Sequence, residues 1–350
     1  MRVGILGAGQ LGRMLAAAAL QLGLEPHLYD PDPSACGHSA GRSWPFSYED
    51  QDSLERFARA VELCTFEFEN VPVDAVQVVS RHTLVSPGMA ALAVSQDRLH
   101  EKNFLRTLNI ATPEFKPMEP GDRLPKHGIL KTRRLGYDGK GQIQLCKTFK
   151  PWEAIGKRSC IWEEKIEFQR ELSQIGVRSR SGSLEFYPLV ETIQRDGILI
   201  GAIAPARQVS EELAAQARSW VGSILESLDY VGVLALELFE VQGRLLANEM
   251  APRVHNSGHW TDRGCTTSQF ENHWRALLDL PLGSVEPLGH CRLSNLLGEL
   301  PESLTARTGV YPCLYGKEPR PGRKLGHITY VAADPKSVDS LTLETVNHAT

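Results

Sequence analysis

An apolar strand, a glycine turn and a helix open this chain, and their order leaves few folds open to it. Arg2 to Leu6 reads as a short strand, and Gly7-Ala8-Gly9-Gln10-Leu11-Gly12 as a tight turn. Arg13 to Leu22 carries helix formers, with Gly23 as a C-cap. Pro26 to Asp30 is a second strand that ends in an acid. Strand, GxGxxG turn, helix, strand and Asp in that order match the dinucleotide fingerprint. Leu54 to Val61 then reads as a helix and Leu63 to Phe68 as a strand. A βαβ-type domain with parallel strands, 1–96, is the expectation.

The punctuation changes beyond it. Asp97 to Leu108 is a helix bearing Arg98, Glu101 and Lys102, after which Pro113, Pro117, Pro120 and Pro125 break any helix. Short strands at Gly128 to Lys131, Gln142 to Cys146, Ser159 to Glu163, Glu171 to Val177 and Leu184 to Tyr187 suggest an antiparallel module. A long helix, Glu211 to Leu228, precedes a hairpin, Tyr230 to Met250, and Ser268 to Leu278 is a further helix. From about Cys291 onward come short strand candidates and a basic loop, Lys317 to His327. Val331 to Thr350 lacks an apolar closing strand.

Composition narrows the function. A net charge of −4 argues against general nucleic-acid binding, and no apolar stretch is long enough to span a bilayer. Cys36, Cys64, Cys146, Cys160, Cys265, Cys291 and Cys313 are scattered, odd in number and free of CxxC pairs. They read as reduced thiols in a cytoplasmic protein, with no zinc site and no disulfide framework. The N-terminus lacks the order of a signal peptide.

The densest chemistry lies at the hairpin. Glu237 is the one acid in the run Val233 to Phe239, which reads as buried, and a lone carboxylate there is costly. Asn248, Glu249, Arg253, His255, Asn256, His259 and Trp260 follow on its partner strand and loop. So many polar groups beside buried strands suit a metal and an anionic substrate. A two-residue turn at Gln242-Gly243 would set Glu237 against Asn248 and send Glu249 to the other face. A three-residue loop with a bulge would set Glu237 opposite Glu249, and this is the expected arrangement.

Two other segments suit phosphate. Lys131 to Gln142 holds four cations and three glycines, so its successive N–H groups can wrap phosphate oxygens, although a solvated basic hairpin is the plainer alternative. It lacks the GxxxxGK[ST] spacing of a Walker loop. Lys317 to Lys324 gathers four cations in a loop shaped by Pro319, Pro321 and Gly322. Glu163-Glu164-Lys165-Ile166 and Glu171 can meet a nucleobase and a ribose, or form a charged turn. The glycine turn at Gly9 admits a nicotinamide cofactor with Asp30 on its ribose, or merely joins strand to helix.

At these residues the chain resembles the ATP-grasp ligases, and among them the N5-carboxyaminoimidazole ribonucleotide synthetase (PurK) family. The landmarks run from Gly7-Ala8-Gly9-Gln10-Leu11-Gly12-Arg13-Met14 through Phe66-Glu67-Phe68-Glu69-Asn70-Val71-Pro72 and Gly136 to Gln142. Asp196-Gly197-Ile198-Leu199 and Tyr230-Val231-Gly232-Val233 continue the match, and Pro252 to Trp260 and Arg320 to His327 are its specific parts. The resemblance implies an ATP-grasp fold, α/β and α+β. It has a Rossmann-like domain at 1–96, an ATP-grasp domain at 97–290 with a mobile antiparallel lid at about 120–180, and a small β-rich lobe at 291–350.

The activity it implies is ATP- and bicarbonate-dependent carboxylation of 5-aminoimidazole ribonucleotide through carboxyphosphate. Magnesium would be needed, biotin and NAD would not, and a homodimer is expected. ATP would meet Arg98, Lys131, Gly136, Tyr137, Asp138, Gly139, Lys140, Gly141 and Gln142. It would also meet Glu163, Glu164, Lys165, Ile166, Glu171, Gln194, Asn248 and Glu249. Glu237 and Glu249 would hold the metal, and Arg253, His255 and Asn256 would be catalytic. Gly9, Gln10, Leu11, Glu69, Lys317, Arg323 and Lys324 would bind the ribonucleotide. Gln194 stands where the family often has histidine. A formate-using purine ligase, a biotin-type carboxylase, a nicotinamide oxidoreductase and a non-catalytic nucleotide-binding regulator are the alternatives. The Arg253 to His259 stretch argues against the other ligases, and the paired acids argue against a mere binder.

Overall fold

The strands among the described residues form three sheets. The computed structural model describes residues 1–136, 139–148, 150–301, 304 and 306–347. Tyr137 and Asp138 of the expected lid, and the end of the chain, lie outside the described residues. The first sheet is parallel, in the order Arg42–Trp44, Glu25–Tyr29, Arg2–Leu6, Leu63–Phe66, Leu84–Val85. Its continuous burial is what a sheet covered on both faces requires. The helix after the first strand spans Gln10–Gln21, so the glycine turn feeds straight into it.

The second sheet is small and antiparallel, in the order Phe115–Met118, Cys160–Glu163, Ile129–Thr132, Gln142–Gln144. The expected strand to Cys146 stops at Gln144, because Leu145–Lys147 coils into a short 3-10 turn.

The third sheet has nine antiparallel strands and carries the site. Its main path runs Arg244–Ala251, Gly232–Val241, Arg170–Arg178, Val190–Arg195, Ile198–Ala204, His290–Leu297, Lys324–Ala332, Val310–Leu314. Val190–Arg195 and Ile198–Ala204 form a hairpin absent from the sequence reading, although Asp196-Gly197 between apolar residues is its signal. Both turn residues have positive φ, 52° and 75°. The basic segment also differs from expectation. Lys324 to His327 belongs to the strand Lys324–Ala332, so the loop ends at Arg323. Beyond that strand the chain closes with a helix, Pro335–Asn347. Among the described residues no helix is long and apolar enough to cross a membrane.

Alternation along the central strands decides what faces where. Val233 and Ala235 join Ile175 and Val177 in a core shared with Leu11, Met14 and Leu15 of the first helix. Leu234, Leu236 and Leu238 face the opposite core with Val221, Ile224 and Leu225 of the helix Glu211–Ser227. Period two therefore turns Glu237 toward the side where the first domain packs.

The helix Gln269–Leu277 ties the two together. Trp274 Nε1 donates to Leu15 O at 2.8 Å. His273 Nδ1 accepts from Val233 N at 3.1 Å, and its other nitrogen lies 2.8 Å from Thr65 Oγ1. An amide can only donate, so the ring proton sits on Nε2 and points to Thr65. Burial holds His273 neutral, with its pKa lowered to about 3.

That burial sets a pH dependence. The unfolded chain takes a proton at His273 near pH 6.5, whereas the folded chain refuses it down to about pH 3. The unfolded state binds more protons between those limits, so stability is lost as pH falls from 6.5 toward 3. The slope from one such group is at most about 1.4 kcal/mol per pH unit. His273→Gln should remove this component, read as urea unfolding free energy against pH. A slope equal to wild type would contradict it.

Candidate active site

The hairpin turn is shorter than expected. Val241 pairs with Arg244, so Gln242-Gly243 is a two-residue turn with φ of 51° and 73°. Two positive φ values match the twist of the flanking strands, which is why this turn wins over a three-residue loop. The bulge lies elsewhere, at the site itself. Leu238 pairs with Ala247, but Leu236 pairs with Met250, so Glu237 faces both Asn248 and Glu249. Leu245, Ala247 and Met250 all enter the same core although the last two are three residues apart. The extra residue frees Asn248 and Glu249 together from that apolar face.

A bulge costs ladder hydrogen bonds, and the helix Arg98–Thr107 restores them. Lys102 Nζ donates to Asn248 O at 2.6 Å and Ala247 O at 3.3 Å. Glu101 accepts from the Met250 amide. Burial and the nearby Glu249 raise Glu101 to about 8. The sequence reading placed both residues on this helix without assigning them a task.

Carboxylates mass on the hairpin face. Burial, Glu249 and Glu171 raise Glu237 to about 8, and burial and Glu249 raise Glu171 to about 7. Glu171 shares a strand face with Ser173, which pairs directly with Glu237. Hard oxygens that disfavour one another's charge fit a divalent cation. Among the described residues no three His, Cys, Asp or Glu side chains form a complete metal cage. Two carboxylates beside the Asn248 amide suit magnesium, which usually keeps substrate phosphates and water as its other ligands.

Cations line the opposite side. Lys131 Nζ lies 2.7 Å from Glu163 Oε2 and 3.3 Å from Asn248 Oδ1. Burial would raise Glu163, but Lys131 and Lys102 outweigh it and hold its pKa at about 2. The Glu163 side chain is thus held between two lysines. The Glu164 amide is bonded to Glu114 O at 2.8 Å, and Lys165 pairs with Glu167, with Ile166 half-buried between them. Arg98 donates to Thr132 O at 2.9 Å and Gly136 O at 3.2 Å, and stands 3.7 Å from Glu249. Gly139 abuts the Asp196 carbonyl and Gly141 abuts Thr132, so neither has room for a side chain. Lys140 lies between them, Gln142 faces Gly197, and Gln194 sits at a bulge opposite Leu199.

The anion side is built from the loop after Ala251. Arg253 Nε meets Glu69 Oε2 at 2.5 Å, and Nη1 donates to Val254 O. Against its burial, Arg253 keeps the Glu69 carboxyl below the usual range. His255 Nε2 lies 3.3 Å from Glu237 Oε1, and burial, Arg253 and Lys324 lower its pKa to about 3. Asn256 Oδ1 is buried without a hydrogen-bond partner. Lys324 is buried, and Arg323 donates to Glu318 O at 3.1 Å.

The glycine turn is filled by the protein itself. Gly9 N and Gly12 N donate to the two carboxylate oxygens of Glu67, and Ala8 N donates to Asp30 at 2.8 Å. These amides are the ones a pyrophosphate would use. Leu11 is in the core, and Gln10 contacts Lys317 Nζ, whose pKa burial lowers. The Gly9 amide is thus already bonded within the protein, while the Gln10 side chain stands beside Lys317. Sequence spacing gave no role to Glu67. Only its alternation with Phe66, which is buried among core residues, hinted that it turns the other way.

This arrangement has counterparts among known proteins. A ribonucleotide synthetase preATP-grasp domain model matches residues 1–96, an ATP-grasp domain model 103–270, and a phosphoribosylaminoimidazole carboxylase C-terminal domain model 291–340. The chain is 42% identical to an N5-carboxyaminoimidazole ribonucleotide synthase of Pseudomonas aeruginosa, over 98% of each chain. The synthetase of Thermus thermophilus superposes with a TM-score of 0.92 at 44% identity, over 99% of this chain and 98% of that one. The synthase of Aspergillus clavatus, crystallised with ADP and 5-aminoimidazole ribonucleotide, gives 0.87 at 27%, over 99% and 98%.

The clamp on the bulge is measurable. Lys102→Met leaves two carbonyls of the bulge unpaired and strips Glu163 of one cation. Breaking buried charge pairs of this kind costs about 3–5 kcal/mol. Urea unfolding should report a loss on that scale, and a loss within about 0.5 kcal/mol of zero, typical of surface sites, would refute the clamp.

Proposed function

Because the chain belongs to the N5-carboxyaminoimidazole ribonucleotide synthase family of ATP-grasp ligases, we propose that this one site couples ATP cleavage to carboxylation of an amine. The enzyme is an ADP-forming ligase, and the acceptor is the exocyclic nitrogen of 5-aminoimidazole ribonucleotide. In our reading bicarbonate is the carboxyl source. One of its oxygens attacks the γ-phosphorus of ATP, giving carboxyphosphate and ADP. The amine nitrogen then attacks the carboxyl carbon, either in carboxyphosphate or in CO2 freed from it. Phosphate leaves, and the nitrogen gives up a proton.

The roles follow from charge. Lys131 and Arg98 face the nucleotide phosphates, where positive charge stabilises phosphoryl transfer. Glu237 and Glu249 would hold magnesium, with Asn248 beside it; when bound, that ion neutralises phosphate charge. Arg253 turns its remaining guanidinium edge to the anion, its other donors being set by Glu69 and Val254. His255 and Asn256 flank it. Gln10, Lys317, Arg323 and Lys324 meet the ribonucleotide, with the cations on its 5′-phosphate. Carboxyphosphate hydrolyses easily, so closure of the loop Gly136 to Gln142 protects it from water. A homodimer in the cytoplasm belongs to the same proposal.

The observation that carries this reading is the bulge. Glu237 faces Asn248 and Glu249 at once, with His255 at 3.3 Å from Glu237 and Lys131 at 3.3 Å from Asn248. Acids for a cation and hydrogen-bond donors for anions meet at one point, and a simple binder needs no such pairing.

ADP release with bicarbonate, with and without 5-aminoimidazole ribonucleotide, is the direct assay. Release should depend on both, and ADP formation indifferent to either would point to another acceptor. Glu249→Gln should abolish turnover with the fold intact; wild-type rates would take it out of the metal site. Lys317→Ala should raise the ribonucleotide KM about 10- to 100-fold, the size of a lost charge-assisted hydrogen bond, and leave that for ATP nearly unchanged. Equal effects on both would contradict the assignment.

A further inference from the structure

His255 has a fixed polarity. The Ser257 amide donates to His255 Nδ1 at 3.3 Å. A backbone amide has no lone pair to offer, so Nδ1 must present its own. The Ser257 hydroxyl lies 2.8 Å from the same nitrogen and therefore also donates to it. That leaves the hydroxyl oxygen to accept, and Ser173 Oγ stands 2.7 Å away as the donor. Both serines are fully buried, so water does not compete for these bonds. Ser173 is also the direct cross-strand partner of Glu237. The chain of hydroxyls thus begins on the strand beside the carboxylate and returns through the imidazole to that carboxylate, where Nε2 lies 3.3 Å from Oε1.

We propose that the Ser173–Ser257 hydroxyl pair positions His255 as the Nε2–H tautomer, so that His255 serves the site as a hydrogen-bond donor and not as a base. With Nδ1 occupied by two donors, an Nδ1–H form would set N–H against N–H. The ring's one proton is then on Nε2, the nitrogen that faces the reacting groups. His255 donates that N–H to a carboxyl oxygen, of Glu237 at rest and of the group under transfer in turnover. The proton that the amine loses cannot go to Nε2, which already carries one; it leaves with phosphate or solvent. Ser173 and Ser257 touch no substrate and act only through the ring.

This rests on the ligase reading for its consequence, but not for its measurement. Full-length protein labelled with 15N-histidine should show His255, assigned by loss of its signals in His255→Gln, with a pyridine-like Nδ1 and a pyrrole-like Nε2. Ser257→Ala removes the closer donor and leaves only the amide at 3.3 Å, so it should shift both signals toward a mixed tautomer. It should also lower kcat for ribonucleotide-dependent ADP release about tenfold, as removal of a supporting partner does, with the ribonucleotide KM within about twofold. Ser173→Ala should change the same signals in the same direction. A pyrrole-like Nδ1 in the wild type would overturn the proposal even if no variant folds, and so would Ser257→Ala with unchanged signals and kcat. Wild-type protein that shows the Nε2–H form but no ribonucleotide-dependent turnover would fault the ligase reading alone.

Discussion

One extra residue in a hairpin ladder determines where the charges of this protein meet. Without the bulge opposite Glu237, strand alternation would send Glu249 into the apolar face that receives Leu245 and Ala247. With it, Asn248 and Glu249 both leave that face. The backbone groups so displaced need partners, and Lys102 and Glu101 supply them from a helix nearly 150 residues earlier in the chain. The hairpin carboxylates and the clamp that presents them are therefore one structure.

Some of the buried charge around this point is balanced by pairs. Glu163 is neutralised by Lys131 and Lys102, and Glu69 by Arg253. Glu237 and Glu171 instead have raised pKa values, because burial and neighbouring carboxylates both oppose their ionisation. A site that holds acids in this condition gains when a cation arrives and they ionise. The same logic sets the other side, where burial together with Arg253 and Lys324 keeps His255 neutral.

The glycine turn shows how one backbone device serves two ends. Its amides point out of a helix N-terminus, as in a dinucleotide site. Here Glu67, just past the parallel strand Leu63–Phe66, occupies two of them, and Gly7, Gly9 and Gly12 are the residues that leave it room. The turn thus braces the first domain, while Gln10 beside it reaches Lys317 from the far end of the chain.

Periodicity and motif spacing in the sequence determined the parallel first domain, the antiparallel centre, the hairpin with its acids, and the helices Arg98–Thr107, Glu211–Ser227 and Gln269–Leu277 to within a residue, while the helices Val73–Ser80 and Met89–Ser95 went unread. Those features depend on local propensity and on alternation, which are properties of short segments. The Asp196-Gly197 hairpin was legible by the same rule, and its omission was a missed signal. The position of the bulge, the commitment of Glu163 to two lysines, the filling of the turn by Glu67 and the serines behind His255 were not legible. Each depends on register or on a partner distant in the chain, as with Gly12 and Glu67 or Ser173 and Ser257. A ladder can shift by one residue with no change in composition. Only packing of the whole sheet against the first domain and the helix Arg98–Thr107 selects the register in which buried charges find one another.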